Sequence, residues 1–220
     1  MENFADGERG YKIHDLLGGS TDLDVIIDAT GVKSKNDGEY RGTKYGKVKI
    51  WEKIHIAIDR KSHRILNIEV TGNDVADPRM FIELMVPITE MNDVDSTTAD
   101  GACDSDKNFE YCDKNGIKAR IPVRINSVGG KSKYRRKNVV EQLGVNRKRG
   151  HRLHKIPPEN IRRENQERWQ NESGYHERSL VESMISVFKG AFGEYLFSKR
   201  SDMKEKELLM KAVVYNMFLV

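Results

Sequence analysis

Cysteine, proline and aromatic residues are all scarce in this 220-residue chain: two Cys, five Pro and 8% Phe, Trp and Tyr together. Two cysteines, Cys103 and Cys112, cannot form the dense disulfide framework of a small secreted scaffold, and they suit a reducing cytoplasm. Long apolar runs are also missing. The longest, "AVVYNMFLV" near the C-terminus, falls far short of the roughly 20 residues that cross a bilayer, so no membrane partner is expected. No charged-then-apolar leader opens the sequence, which argues against a secretion signal. No internal repeat is visible, which excludes a solenoid.

Charge is abundant instead. Charged residues make up 33% of the chain and hydrophobic ones 37%, the composition of a soluble globular protein. The length suits one domain with a real core. Net charge is only +4, but it is unevenly spread. Residues 131–168 hold 13 Lys and Arg against 4 Asp and Glu, a balance of +9, while residues 72–115 hold 3 basic against 11 acidic, a balance of −8. Each run alone is also what a solvated surface shows. Together they suggest one region that attracts polyanions and another that attracts cations, as a nucleic-acid enzyme using divalent metal would need.

Residues 1–22 read as a loose lead-in, and 23–220 as one domain. "LDVIID" (Leu23–Asp28) predicts a short strand ending in a carboxylate. After a polar, Gly-rich loop, "WEKIHIAIDR" and "HRILNIEVT" alternate with period two and form a hairpin about the turn "DRKSH". "DVADPRMFIELMVPI" predicts a helix capped by Asp74 or Asp77, with Pro78 at a first helical position. "STTADGA" is an extended segment ending at Asp100, and "SDKNFEYCDKNG" a helix capped by Asp104 or Ser105 and stopped by Gly116. "IKARIPVRI" predicts a strand, placed at an edge by Pro122. A basic, irregular insertion spans about 126–173; a helix over Tyr175–Lys189 and a last helix, "KEKELLMKAVVYNMFLV", follow. This order predicts a three-layer α/β fold with a sheet antiparallel at first and parallel afterwards.

Two features bear on chemistry. In the helix "YHERSLVESMISVFK", Val181, Met184, Ile185 and Phe188 fall on one face. Tyr175, Arg178, Glu182 and Lys189 share an adjacent stripe within about 60° of arc, either a surface salt-bridge row or one wall of a site. Asp28 and Asp100 each end a strand candidate, where carboxylates of open α/β sheets can converge. Three acids so gathered would repel one another without a cation, and magnesium, a hard oxygen-seeking ion, is the natural one. Simple turn capping by the two aspartates is the competing explanation. Cys103, Cys112, His151 and His154 fit no recognised zinc-finger spacing, and His55 and His63 are read as structural or exposed.

The blocks "DVIIDATGVK", "TTADGACDSDKNFEYCDKNGIKARIPVR" and "YHERSLVESMISVFKGAFG" resemble the catalytic core of DDE-type insertion-sequence transposases. Tyr175, Arg178, Glu182 and Lys189 match that family's Tyr-x2-Arg-x3-Glu-x6-Lys signature spacing for spacing. The resemblance implies a ribonuclease-H-like fold with a mixed five-stranded sheet flanked by helices. It implies Asp28, Asp100 and Glu182 as catalytic, metal-holding acids for two Mg2+ ions, with Mn2+ able to substitute. It also implies Tyr175, Arg178 and Lys189 as DNA contacts near the cut. Arg135, Arg136 and Lys137 in the basic insertion are read as further DNA contacts on a phosphate-tracking surface. The implied activity is cleavage and joining of DNA at insertion-sequence ends. The partner is double-stranded DNA, as transposon ends and target, with a homodimer as a candidate assembly on it. The expected location is a prokaryotic cytoplasm, on the nucleoid when DNA is bound. Such enzymes usually carry a substantial segment before the first aspartate, so a truncated copy, one frame of a split gene or an element remnant is expected. A DNA-binding remnant without catalysis and a purely hydrolytic ribonuclease-H-like nuclease are the alternative functions.

Overall fold

The computed structural model describes residues 21–34, 51–72, 75–128, 132–145 and 156–219. Residues 1–20 of the lead-in, most of the Gly-rich loop, Asp74 and the "NRKRGHRLHK" part of the insertion lie outside the described residues.

The first strand, β1 (Leu23–Ser34), is the axis of the sheet. It pairs antiparallel with β2 (Trp51–Asp59), which pairs antiparallel with β3 (Ile65–Gly72), the expected hairpin. On its other side β1 runs parallel to β4 (Val94–Thr98), and β4 runs parallel to β5 (Lys118–Arg120). The order β3-β2-β1-β4-β5, antiparallel then parallel, is the ribonuclease-H-like arrangement. A two-residue strand, β6 (Tyr195–Leu196), adds to the end of β1 and makes the sheet six-stranded.

Both faces of the sheet are covered, which is why Leu23–Ile27 read as a continuous apolar run. Leu23, Val25 and Ile27 point to one core with Phe81, Leu84, Met85 and Ile88 of α1 (Asp77–Thr89). Phe109 and Cys112 of α2 (Asp106–Lys114) and Val139 and Leu143 of α3 (Lys133–Leu143) join that core. Ile26 and Val32 point the other way, with Ile54, Ile56 and Ile58 of β2. There they meet Val181, Met184, Ile185 and Phe188 of α5 (Ser179–Phe192) and Leu208, Ala212 and Tyr215 of α6 (Ser201–Met217). Each of these fully buried Ile, Leu or Phe side chains contributes about 1.5–3 kcal/mol. Cys103 and Cys112 are core thiols, and burial pushes the Cys112 thiol up to about 12. His55 is buried with Nε2 2.9 Å from Thr71 Oγ1, and His63 is an exposed turn residue. Among the described residues no helix is long and apolar enough to cross a membrane.

Several expectations are corrected. Asp28 lies in the middle of β1 rather than at its end, because β2 and β6 go on pairing with β1 to its last residues. The "IKARIPVRI" strand shrinks to three residues at the sheet edge. The insertion is not irregular throughout: it contains α3 and α4 (Glu159–Ser173). The N-cap of α1 is Ala76, without a side-chain bond, rather than an aspartate. The Tyr175–Lys189 segment is not one α-helix: Tyr175–Arg178 form a 3-10 turn, and α5 begins at Ser179.

The start of β1 is braced by charge. Asp24 is buried and pairs with Arg60 Nε at 2.7 Å and with Arg120 Nη1 at 2.8 Å, and it accepts from Ser96 Oγ at 2.6 Å. Removing one partner of a buried ion pair strands the other charge. Asp24→Ala is therefore expected to lower unfolding free energy by about 3–5 kcal/mol, read by urea denaturation. A loss below about 1 kcal/mol, the worth of a surface pair, would rule out that bracing role.

Candidate active site

The register of two parallel strands brings two carboxylates level. Ile26 of β1 pairs with Thr98 of β4, where β4 ends; two residues further along each chain come Asp28 and Asp100. Among the described residues no strand lies beside that edge of β1 between the end of β4 and Lys33, where β6 begins to pair, which leaves a notch at Asp28. Even-numbered residues of β1 face α5, and Asp28 therefore points toward the element that carries Glu182.

Gly174 makes that approach possible. It ends α4 with φ 76°, a left-handed conformation that costs an L-residue about 1–2 kcal/mol. The chain then turns into the 3-10 segment, where residues three apart eclipse and neighbours diverge by about 120°. Tyr175 and Arg178 thus share a side, while Glu177 points away and forms an ion pair with Arg60. Trp169 of α4 packs on Tyr175 with ring centroids 6.1 Å apart.

Arg178 is the centre of the site. Its Nη1 lies 3.4 Å from Asp28 Oδ2 and its Nη2 donates to Glu182 Oε1 at 3.0 Å. The Arg178–Glu182 pair is the i,i+4 salt bridge considered from the sequence; the same guanidinium also faces the sheet. Asp100 is exposed, and its Oδ1 accepts from Ala102 N at 3.3 Å across the first turn after β4. Lys189 arches over β1, donating to Thr30 Oγ1 at 2.7 Å and to the Gly31 carbonyl at 2.9 Å.

These charges feel one another. Burial pushes the Asp28 carboxyl above its usual value; Ala29 N–H and Arg178 pull it down less, and Glu182 and Asp100 add to the rise. Burial opposes the charge on Arg178, but Asp28, Tyr175, Asp100 and Glu182 outweigh it and hold the guanidinium above its ordinary value. Burial likewise raises the Tyr175 phenol, which stays protonated at neutral pH.

The structure brings together Asp28, Tyr175, Arg178 and Glu182, with Asp100 near enough to act on Asp28, Tyr175 and Arg178, while Lys189 is held on Thr30 and Gly31 of the same strand as Asp28. Among the described residues no three His, Cys, Asp or Glu side chains stand close enough to hold a metal ion as they are. In kind the donor set fits a hard divalent cation, being three carboxylates at a partly solvated notch. Arg178 bridges two of them. The three basic insertion residues are not brought to this cluster as a group. Arg135 is half-buried and paired with Asp104, Arg136 is half-buried on α3, and Lys137 is exposed beside a cavity of about 320 Å³. Thr30, Arg60, Glu177 and Trp169 had no signal in the sequence, because each meets its partner only through tertiary packing.

Residues 19–217 match the family model described as "Transposase DDE domain". Among solved structures, a chain of the cryo-electron-microscopy structure of a simian T-cell lymphotropic virus intasome in complex with PP2A regulatory subunit B56 gamma is similar at 13% identity and a TM-score of 0.34. The match covers 68% of this chain and 48% of that one, about half its length.

The raised Asp28 carboxyl has a consequence for stability. A raised acid stabilises the fold while protonated, below its unfolded value of 3.8, and that contribution is lost as pH climbs through the folded value. Asp28→Asn should therefore raise the melting temperature of the metal-free chain at neutral pH. The advantage should shrink as pH falls toward 4. A variant melting below wild type at pH 7 would show that the pair with Arg178 outweighs burial.

Proposed function

We propose, for a chain that belongs to the transposase DDE-domain family, that it cleaves and joins DNA strands at insertion-sequence ends using Asp28, Asp100 and Glu182 as its catalytic acids. The observation that carries the reading is Arg178 bridging Asp28 and Glu182, with Asp100 close enough to shift the charge balance of both Asp28 and Arg178. Acids gathered around one arginine at a partly solvated notch, with the carboxyl of one of them raised by burial, form the kind of arrangement that functional sites use.

Asp28, Asp100 and Glu182 are the residues that would hold divalent metal, two magnesium ions or manganese in their place, which when bound would lower the pKa of an attacking oxygen and stabilise the departing one. The attacking oxygen belongs to water or to a DNA 3′-hydroxyl; it forms a bond to phosphorus as the bond from phosphorus to the leaving 3′-oxygen breaks. No covalent protein–DNA intermediate forms. Arg178 offers a planar fork to a phosphate and Lys189 a point charge. The protonated Tyr175 phenol donates to a phosphate or stacks on an unpaired base. Arg136 and Lys137 extend the basic surface along the duplex.

A magnesium-dependent strand-transfer assay on short duplexes carrying candidate terminal repeats tests the reading. Asp28→Asn and Asp100→Asn should each abolish cleavage while gel-shift affinity for the duplex is retained. Cleavage surviving in either variant would refute the assignment of the acids. Binding without cleavage by the wild type would identify a DNA-binding remnant, and cleavage without joining a hydrolytic nuclease. Affinity should also be steeply salt-dependent. With 6–10 phosphate contacts, binding is expected to weaken by roughly 10³–10⁵ between 50 and 200 mM salt, and a flat salt profile would remove the phosphate-tracking surface.

A further inference from the structure

Asp104 lies four residues beyond Asp100, and its side chain is 0% exposed. Arg135 Nε donates to its Oδ1 at 2.6 Å and Arg135 Nη2 to its Oδ2 at 2.6 Å, a two-pronged fork on a buried carboxylate. Arg124 N donates to Oδ2 at 3.0 Å, and Arg135 Nη2 also reaches Ser127 Oγ at 2.8 Å. The Nε and Nη2 hydrogen bonds of this fork go to Asp104 and Ser127. Consecutive residues on a helix point about 100° apart, so α3 turns Arg135 inward while Lys137, two residues on, is exposed.

Between Asp100 and Asp104 there is only one 3-10 turn, Gly101–Cys103, with Asp100 as its N-cap and Asp104 as its C-cap. Cys103 N donates to Asp100 O at 2.8 Å and Asp104 N to Gly101 O at 3.2 Å. A Cβ on Gly101 would stand 3.3 Å from the Pro122 carbonyl, so the turn is also pressed against the segment after β5. A turn this short and this closely packed cannot shift at one end without shifting at the other.

We propose that Arg135 is a positioning residue for Asp100: by clamping Asp104 it sets the turn that presents Asp100 to the site, and so ties that acid to helix α3 of the basic insertion. This rests on the reading of Asp100 as a catalytic acid. It replaces the role of phosphate contact expected for Arg135 from its basic surroundings.

The test uses the full chain with Arg135→Gln, Arg135→Lys and the charge-neutral pair Asp104→Asn with Arg135→Gln, which keeps the volume if the single variant fails to fold. Three quantities are read: DNA affinity against salt, kcat for strand cleavage at saturating DNA, and amide hydrogen exchange over residues 100–105 in the DNA-free chain. The proposal expects Arg135→Gln or the pair to lose about 100-fold in kcat, the scale of a small misplacement of a reacting group. Affinity and its salt slope should be unchanged, and exchange protection at Ala102 and Cys103 should fall. Arg135→Lys should recover part of the kcat, since a lysine keeps the charge but not the fork. A salt slope reduced by about one with kcat intact would make Arg135 a phosphate contact and overturn the proposal. So would unchanged protection over 100–105. The exchange measurement needs no catalysis, so a wild type that never cleaves would defeat the functional reading while exchange still decides the clamp.

Discussion

Mutual repulsion among carboxylates is the constraint around which this site is organised. The parallel register of β1 and β4 sets Asp28 level with Asp100, and α5 carries Glu182 toward the same notch. Negative groups held that close raise one another's pKa and destabilise the fold unless positive charge balances them. In this structure the balance comes from Arg178, whose two terminal nitrogens each address a different acid. Because the guanidinium is only partly buried, it can act without the full desolvation cost of a buried ion.

That arrangement depends on parts distant in the chain. The 3-10 turn puts Arg178 on the sheet side, Gly174 allows the turn to begin, and the pair Arg60–Glu177 holds its outer side. Arg60 also pairs with Asp24, four residues before Asp28 on the same strand. The brace at the start of β1 and the turn carrying Arg178 are thus linked through one side chain. The clamp of Arg135 on Asp104 is the corresponding element on the β4 side, where it fastens α3 to the turn after Asp100.

Much of the fold was legible because its signals are local. Alternation in Ile54–Ile58 and Ile65–Val70 marked the hairpin, and Ser105 and Gly116 marked the ends of α2. The apolar run that marks β1 stops at Asp28, whereas the strand continues through Ala29, Thr30 and Gly31 because β2 pairs with every one of them. The insertion was misread because a high density of charge hides helical period: α3 and α4 bury few apolar residues, chiefly Val139, Leu143 and Trp169. In the site, the spacing of Tyr175, Arg178, Glu182 and Lys189 was readable as one stripe on an α-helical wheel, although Tyr175–Arg178 form a 3-10 turn and only Glu182 and Lys189 lie on α5. Asp28 was placed in the same site by the family resemblance, but the contacts of Arg178 with Asp28 and of Lys189 with Thr30 and Gly31 were not readable, because these partners lie about 150 residues apart in the chain.

The sequence by itself determined which residue types were available, where the β2–β3 hairpin and the helices α1, α2, α5 and α6 form, and which side chains share the buried face of α5, since these follow from periodicity and capping within a few residues. Only the tertiary structure decided which charges neutralise which. It gave Arg178 to Asp28 and Glu182, Arg135 to Asp104, and Arg60 to Asp24 and Glu177. Coulomb attraction acts over a few ångströms of space, whatever the separation along the chain, so an arginine's role is fixed by strand register and helix docking.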